Sequence, residues 1–117
     1  MEKINFQKIV DLTKEDGGYT SEDLAGCRYI VSEPGSEFIV KLNDFTAKKL
    51  ESILKLFQFN DGLGWGTWLD NSTGLVYIDI NAGYNNEAEA LEKALENNQL
   101  AYYDTLKGEE IRTGLTR

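Results

Sequence analysis

A turn flanked by two strand-like segments constrains the fold of this chain most strongly. Apolar residues alternate over residues 75–80, so Val76, Ile78 and Ile80 share one face of a predicted strand. Residues 64–70 form the strand before it, and Asn71-Ser72-Thr73-Gly74 supplies the turn. These two segments predict a β-hairpin with one apolar face.

Two further pairs of segments show the same pattern. Residues 27–32 and 37–42 are rich in β-branched and aromatic side chains, and Glu33-Pro34-Gly35-Ser36 between them has the proline and glycine of a tight turn. Residues 100–104 and 109–113 flank a turn in which Gly108 suits a bulge position. We predict a hairpin from each pair.

Three segments have the spacing of amphipathic helices. We predict helices over residues 5–16, 44–57 and 86–98, capped by Asn5, by Asp44 or Thr46, and by Asn86. A further helical turn is predicted over residues 20–24. Asn97 or Asn98 is expected to adopt the left-handed conformation that ends the third helix.

The order of elements is helix, hairpin, helix, hairpin, helix, hairpin. Consecutive hairpins imply a mainly antiparallel sheet, and the amphipathic helices are expected to pack on one face of it. We therefore predict an α+β fold with three hairpins and about three helices. A chain of 117 residues without a long linker is expected to form a single domain over residues 1–117.

Composition excludes several classes of function. The 20 acidic and 12 basic residues give a net charge of −8, whereas binding to nucleic acid or an anionic membrane requires Lys and Arg. Either a basic partner or no partner is therefore expected. The chain has no histidine, and Cys27 is its only cysteine, so the usual general base and the commonest metal ligand are missing. We predict no catalytic residues, no metal and no cofactor.

Hydropathy predicts a cytoplasmic protein. The first ten residues lack the apolar core of a signal peptide, and no apolar run approaches the roughly 18 residues of a membrane span.

Negative charge is concentrated in the second half of the chain. Residues 57–106 contain eight acidic residues against the single base Lys93. The third helix is expected to pack through Leu91, Ala94, Leu95 and Asn98, leaving a row of glutamates on its outer face. We predict a partner-binding surface from seven carboxylates: Glu87, Glu89, Glu92, Glu96, Asp70, Asp79 and Asp104.

Two aromatic pairs are expected to divide between the faces of the sheet. Trp65 and Trp68 differ by an odd number of positions, as do Tyr102 and Tyr103, so one member of each pair faces away from the other. An exposed tryptophan is a frequent interface anchor, while a sheet covered on both faces would bury both.

A pattern of turns and alternating residues over about residues 64–113 is similar to a known module. It comprises Gly66-Thr67-Trp68-Leu69-Asp70, Thr73-Gly74-Leu75-Val76-Tyr77-Ile78-Asp79, Glu89-Ala90-Leu91, Ala94, Asn97-Asn98-Gln99-Leu100-Ala101-Tyr102-Tyr103-Asp104 and Gly108-Glu109-Glu110-Ile111. The pattern resembles small acidic accessory proteins of phages and mobile elements in Gram-positive bacteria, some of which resemble type II-A anti-CRISPR proteins. This resemblance implies a bacterial host cytoplasm and inhibition of an RNA-guided nuclease.

Three functional hypotheses follow. The first is a non-enzymatic inhibitor whose acidic surface mimics nucleic acid and occupies the basic channel of a host CRISPR effector nuclease, blocking guide-RNA or target-DNA binding. The second is a carboxylate- and metal-dependent enzyme that acts on RNA. The third is a structural module that associates with itself through a sheet edge or an aromatic patch.

Overall fold

The computed structural model describes residues 4–34, 37–57 and 63–116, which form three helices and a sheet of seven antiparallel strands. The helices are α1 (Phe6–Asp16), α2 (Ala47–Leu54) and α3 (Glu87–Glu96). The strands are β1 (Gly18–Thr20), β2 (Tyr29–Ser32), β3 (Phe38–Lys41), β4 (Leu63–Asp70), β5 (Leu75–Tyr84), β6 (Ala101–Asp104) and β7 (Glu109–Arg112). The predicted α+β fold is confirmed.

Local capping signals set the ends of α1 and α3. Asn5 and Asn86 each accept a hydrogen bond from the amide three residues further on, as their side-chain oxygens predict. Gly17 ends α1 with a φ of 91°, and Asn98 follows α3 with a φ of 57°. Both residues adopt the left-handed conformation, which glycine and asparagine tolerate best.

Helix α2 is shorter than the predicted 44–57. Thr46 caps it by accepting from the Lys49 amide, and a 3₁₀ turn at Leu42–Asp44 precedes it. Leu50 and Ile53 are buried on its inner face, as the spacing predicted.

Strand β5 is the centre of the sheet and corrects one predicted hairpin. Strand β4 pairs with β5 along one edge from Leu63 to Asp70, whereas β2 and β3 lie end to end along its other edge. The predicted pairing of residues 27–32 with 37–42 is therefore wrong. A long strand offers enough hydrogen-bonding edge for two short ones, and the turn signal reflects a break between them. Gly35 and Ser36 of that turn lie outside the described residues.

Two other strand segments were not predicted. Residues 81–84, which lie beyond the predicted strand, continue β5 and pair with β2, and β1 pairs with the edge of β4 that faces away from β5. The hairpins β4–β5 and β6–β7 are confirmed, with Gly74 and Gly108 at positive φ in their turns.

All three helices pack on one face of the sheet, here called the helix face. Side chains alternate along β5, and Val76 and Ile78 lie beneath α1 and α2. Tyr84 is an even number of residues further along the strand, so it lies on the same face, beside α3. The larger core cluster contains Phe45, which precedes α2, and Trp65 of β4. The predicted packing of helices on one face is confirmed.

Among the described residues, the opposite face, here called the open face, is covered at one end only. Residues 21–27 cross it between β1 and β2, burying Leu24. The sheet makes room with glycine, because a Cβ at Gly64 would lie 2.6 Å from Leu24 Cγ and one at Gly83 would lie 2.5 Å from Cys27 Sγ. The predicted helical turn lies in this segment, as a 3₁₀ turn at Glu22–Leu24.

Within the described ranges, no helix combines the length and the apolar character that crossing a membrane requires.

Candidate acidic interface

Helix α3 is held on the sheet by its smallest side chains. Ala90 and Ala94 are fully buried against Tyr29, Val31 and Tyr102. Residues four apart lie on one face of a helix, and a methyl side chain allows the backbone to approach the aromatic rings closely.

The predicted inner stripe of α3 needs a correction. Ala94 is buried and Leu91 is half-buried, but Leu95 is 41 % exposed and Asn98 is also exposed. The contact is centred on Ala90 and Ala94, because close packing on the sheet favours small residues over leucine. Compared with the predicted orientation, the helix is rotated about its axis so that Ala90 faces the sheet and Leu95 does not.

This rotation leaves the predicted glutamate row on the outside. Glu89, Glu92 and Glu96 are exposed on the face of α3 that points away from the sheet. At a rise of about 1.5 Å per residue, the row extends about 10 Å along the helix axis. Lys93 lies 3.3 Å from Glu96 and offsets part of its charge. The hydrogen bond that Lys93 donates to the Glu96 carboxylate raises the pKa of Lys93.

Glu87 lies in the first turn of α3, on the side of the helix that contacts the sheet. Its Oε2 accepts a hydrogen bond of 3.1 Å from the Tyr102 hydroxyl. Burial raises the pKa of Tyr102, and the bond to Glu87 raises it further. A carboxylate in the first turn also interacts favourably with the helix dipole. Glu87 therefore supports the orientation of α3 as well as adding charge.

Asp104 is not a free carboxylate. Its side chain is only 1 % exposed and lies 3.1 Å from the Arg28 guanidinium. It also accepts from the amides of Leu106 and Lys107 in the β6–β7 turn. The hydrogen bond from Arg28 is the main cause that lowers the pKa of Asp104. The prediction that Asp104 belongs to an exposed partner-binding surface is therefore wrong. This carboxylate links Arg28, directly before β2, to the β6–β7 turn.

Asp70 and Asp79 lie on the other side of the sheet from α3. In the register of β4 and β5, Asp70 lies opposite Leu75 and Asp79 lies opposite Gly66. Alternation along the two strands places both pairs on the open face. Asp70 accepts from the Ser72 hydroxyl and amide in the β4–β5 turn, which lowers its pKa. The seven predicted carboxylates therefore do not form one surface, and four of them share α3.

Asp79 has the most perturbed environment of these carboxylates. Its pKa is raised to about 6, mainly by burial and to a smaller extent by the charge of Glu37, although a hydrogen bond of 2.8 Å from the Ser32 hydroxyl opposes the shift. Its Oδ1 is buried and, within the structure as described, has no hydrogen-bond partner. This side chain lies level with the break between β2 and β3, where the β5 edge passes from one strand to the other.

The open face also carries an aromatic row that the sequence predicted only in part. Trp65 is buried and Trp68 is 47 % exposed, so the two tryptophans divide as expected. Trp68 pairs with Tyr77, which pairs in turn with Ile39, and the two rings lie 5.3 Å apart. Ile39 was missed, because the predicted hairpin assigned its strand another neighbour.

Comparison of the chain with protein-family models, with curated proteins and with solved structures finds no significant match. No three acidic or cysteine side chains within the described ranges are grouped so that they could hold a metal ion.

Proposed function

We propose that this protein is a non-enzymatic inhibitor that binds a basic, nucleic-acid-binding protein through the glutamates of α3. The observation that carries the proposal is the exposed row Glu89, Glu92 and Glu96 on a helix anchored by buried alanines. A rigid row of carboxylates can compete with the phosphates of one nucleic-acid strand for a basic groove. Opposite charge would also speed the encounter and make it sensitive to salt.

The negative field of α3 extends onto neighbouring groups. Burial is the main cause that raises the pKa of Tyr84. Glu33, Glu89 and Glu96 raise it further, whereas Lys93 lowers it. Glu33 therefore adds a carboxylate near the α3 row, which Lys93 offsets in part, and this excess of negative charge supports a contact with a basic surface.

We take the partner to be the RNA-guided nuclease of a type II CRISPR system, on the resemblance of residues 64–113 to anti-CRISPR-like proteins. The positively charged channel that holds guide and target in such nucleases has the complementary charge. Occupation of this channel would block guide-RNA or target-DNA binding.

Charge reversal tests the proposal. The variant Glu89→Lys/Glu92→Lys/Glu96→Lys is expected to lose inhibition of target cleavage by at least tenfold, while its circular dichroism and thermal transition stay those of a folded protein. The matched control is Glu15→Lys/Glu22→Lys/Asp23→Lys, which makes the same charge change at exposed positions on α1 and the crossing segment. Equal inhibition by the folded α3 variant and its control would refute the mechanism.

Stoichiometry separates the inhibitor from the enzymatic alternative. An inhibitor that occludes a surface saturates near one copy per nuclease, and added salt weakens it. Loss of RNA at substoichiometric protein, stopped by a chelator, would instead support a metal-dependent enzyme.

The exposed aromatic row favours self-association as a second candidate function. Trp68, Tyr77 and Ile39 form a contiguous patch on the open face, and such patches mark interaction sites. Light scattering over a range of concentrations would detect a dimer, and Trp68→Lys should abolish it without affecting inhibition by α3.

A further inference from the structure

One edge of the sheet differs in charge from the rest of the molecule. Strand β3 pairs with β5 on one side, and no described residue pairs with its other edge. A groove of about 590 Å³ lies between this edge and α2, lined by Ile39, Val40, Lys41, Asp44, Thr46, Lys48, Lys49 and Ser52. Three lysines against one aspartate give this groove a positive charge in a protein whose net charge is −8.

The backbone of β3 presents hydrogen-bonding groups to the groove. The Leu42 amide donates to Gly74 across the β3–β5 pair, so alternate residues Val40 and Phe38 also direct their backbone groups toward β5. Ile39 and Lys41 therefore direct their amide and carbonyl groups outward. Such an edge can accept one more strand.

We propose that the free edge of β3 binds an extended acidic peptide segment of a partner protein, which adds a strand to the sheet beside α2. Backbone hydrogen bonds would form with Ile39 and Lys41. Acidic side chains of the segment would contact Lys48 or Lys49 on the α2 side of the added strand, and its alternate, apolar side chains would contact Ile39 on the other side. The site is four residues long, so a segment of about six residues spans it.

Charge selects this occupant over a second copy of β3. Two copies paired through the same edge would bring both sets of Lys41, Lys48 and Lys49 together, and like charges in close proximity oppose association. The exposed Ile39, 54 % accessible, adds apolar contact for an alternating residue of the segment. The proposal is independent of the acidic surface of α3, which lies over β2 and β6.

Fluorescence anisotropy with designed hexapeptides tests the proposal. A labelled peptide of alternating Glu and Val is expected to bind the full chain. The same peptide N-methylated at alternate residues, which cannot form the ladder on its methylated edge, is expected to bind at least tenfold more weakly. The corresponding Lys-Val peptide is expected to show a similar loss.

A charge swap identifies the site. Lys48→Glu/Lys49→Glu should weaken the Glu-Val peptide about tenfold and strengthen the Lys-Val peptide. The control Lys14→Glu/Lys107→Glu makes the same charge change at exposed positions and should leave both peptides unaffected. In NMR hydrogen exchange, the Ile39 and Lys41 amides should gain protection when the acidic peptide is bound.

Three results would overturn the proposal. The first is acidic-peptide binding that N-methylation and the charge swap both leave unchanged. The second is competition by a single-stranded oligonucleotide at equal affinity through Lys48 and Lys49, which would assign the groove to nucleic acid. The third is concentration-dependent self-association lost in both Lys48→Glu/Lys49→Glu and Glu109→Lys/Glu110→Lys, which would assign the groove to β7 of a second copy.

Discussion

The carboxylates on α3 and those on the sheet contribute to the same negative charge but occupy opposite environments. Glu89, Glu92 and Glu96 extend from an exposed helix face. Asp104 is enclosed by Arg28 and two turn amides, and Asp79 is partly buried next to Ser32. The sheet carboxylates therefore act on folding, whereas those of α3 remain available to a partner.

The largest effect expected from this contrast is a pH dependence of stability that comes from Asp79. Its pKa is raised to about 6 in the folded protein, so between about pH 4 and pH 6 the folded state binds a proton that the unfolded state has lost. The contribution of Asp79 to the free energy of unfolding is fully present below about pH 4 and is lost as the pH rises through 6. We expect a loss on the order of 3 kcal/mol in the free energy of unfolding.

Denaturant titrations at pH 4, 5, 6 and 7 measure this loss. Asp79→Asn should remove most of the slope, since the amide stays neutral, and Asp70→Asn should retain it because the pKa of Asp70 is lowered. A slope that persists in Asp79→Asn would show that another group titrates in this window.

The next effect is the loss of the Arg28 pair. Asp104→Asn keeps one neutral acceptor oxygen where the carboxylate offered two charged ones, so one of the two charge-assisted hydrogen bonds from Arg28 is lost and the other weakened, and we expect the Tm at pH 7 to fall by about 8 °C. Because the pKa of Asp104 is lowered, its contribution is present above about pH 4 and is lost at more acidic pH, where variant and parent should converge. Glu109→Gln, at the paired position on β7, is the control and should leave the Tm near that of the parent.

The smallest effect is expected on α3. Glu89→Gln/Glu92→Gln/Glu96→Gln should change the Tm by less than about 2 °C, because exposed substitutions away from packed contacts have small effects. Differential scanning calorimetry checks this value. A large loss of stability in this variant would mean that the glutamates belong to the fold, and the contrast with the sheet carboxylates would disappear.

Local signals in the sequence predicted the helices well. Asn5 and Asn86 act as caps on residues three positions away, and Gly17 and Asn98 end their helices through their own backbone conformation. These effects depend on neighbours along the chain, so the sequence contains the necessary information. The glutamate row on α3 could be predicted for the same reason.

Partners distant in sequence could not be predicted in the same way. Arg28 and Asp104 are 76 positions apart, and nothing near either residue indicates the pair. The proline and glycine before β3 predicted a hairpin, but the pairing that forms depends on the length of β5. Residues 81–84 have weak strand propensity, so only their pairing with β2 shows that they belong to the sheet.

The position of β5 late in the chain sets the order in which the sheet can assemble during synthesis. Strand β1 pairs with β4, β3 pairs with β5, and β2 pairs with β5 and β6. Strand β1 therefore has no strand partner until the ribosome has released β4, and β2 and β3 have none until it has released β5. The N-terminal half emerges with its apolar strand residues unpaired, and chaperone contact at this stage would protect it from aggregation.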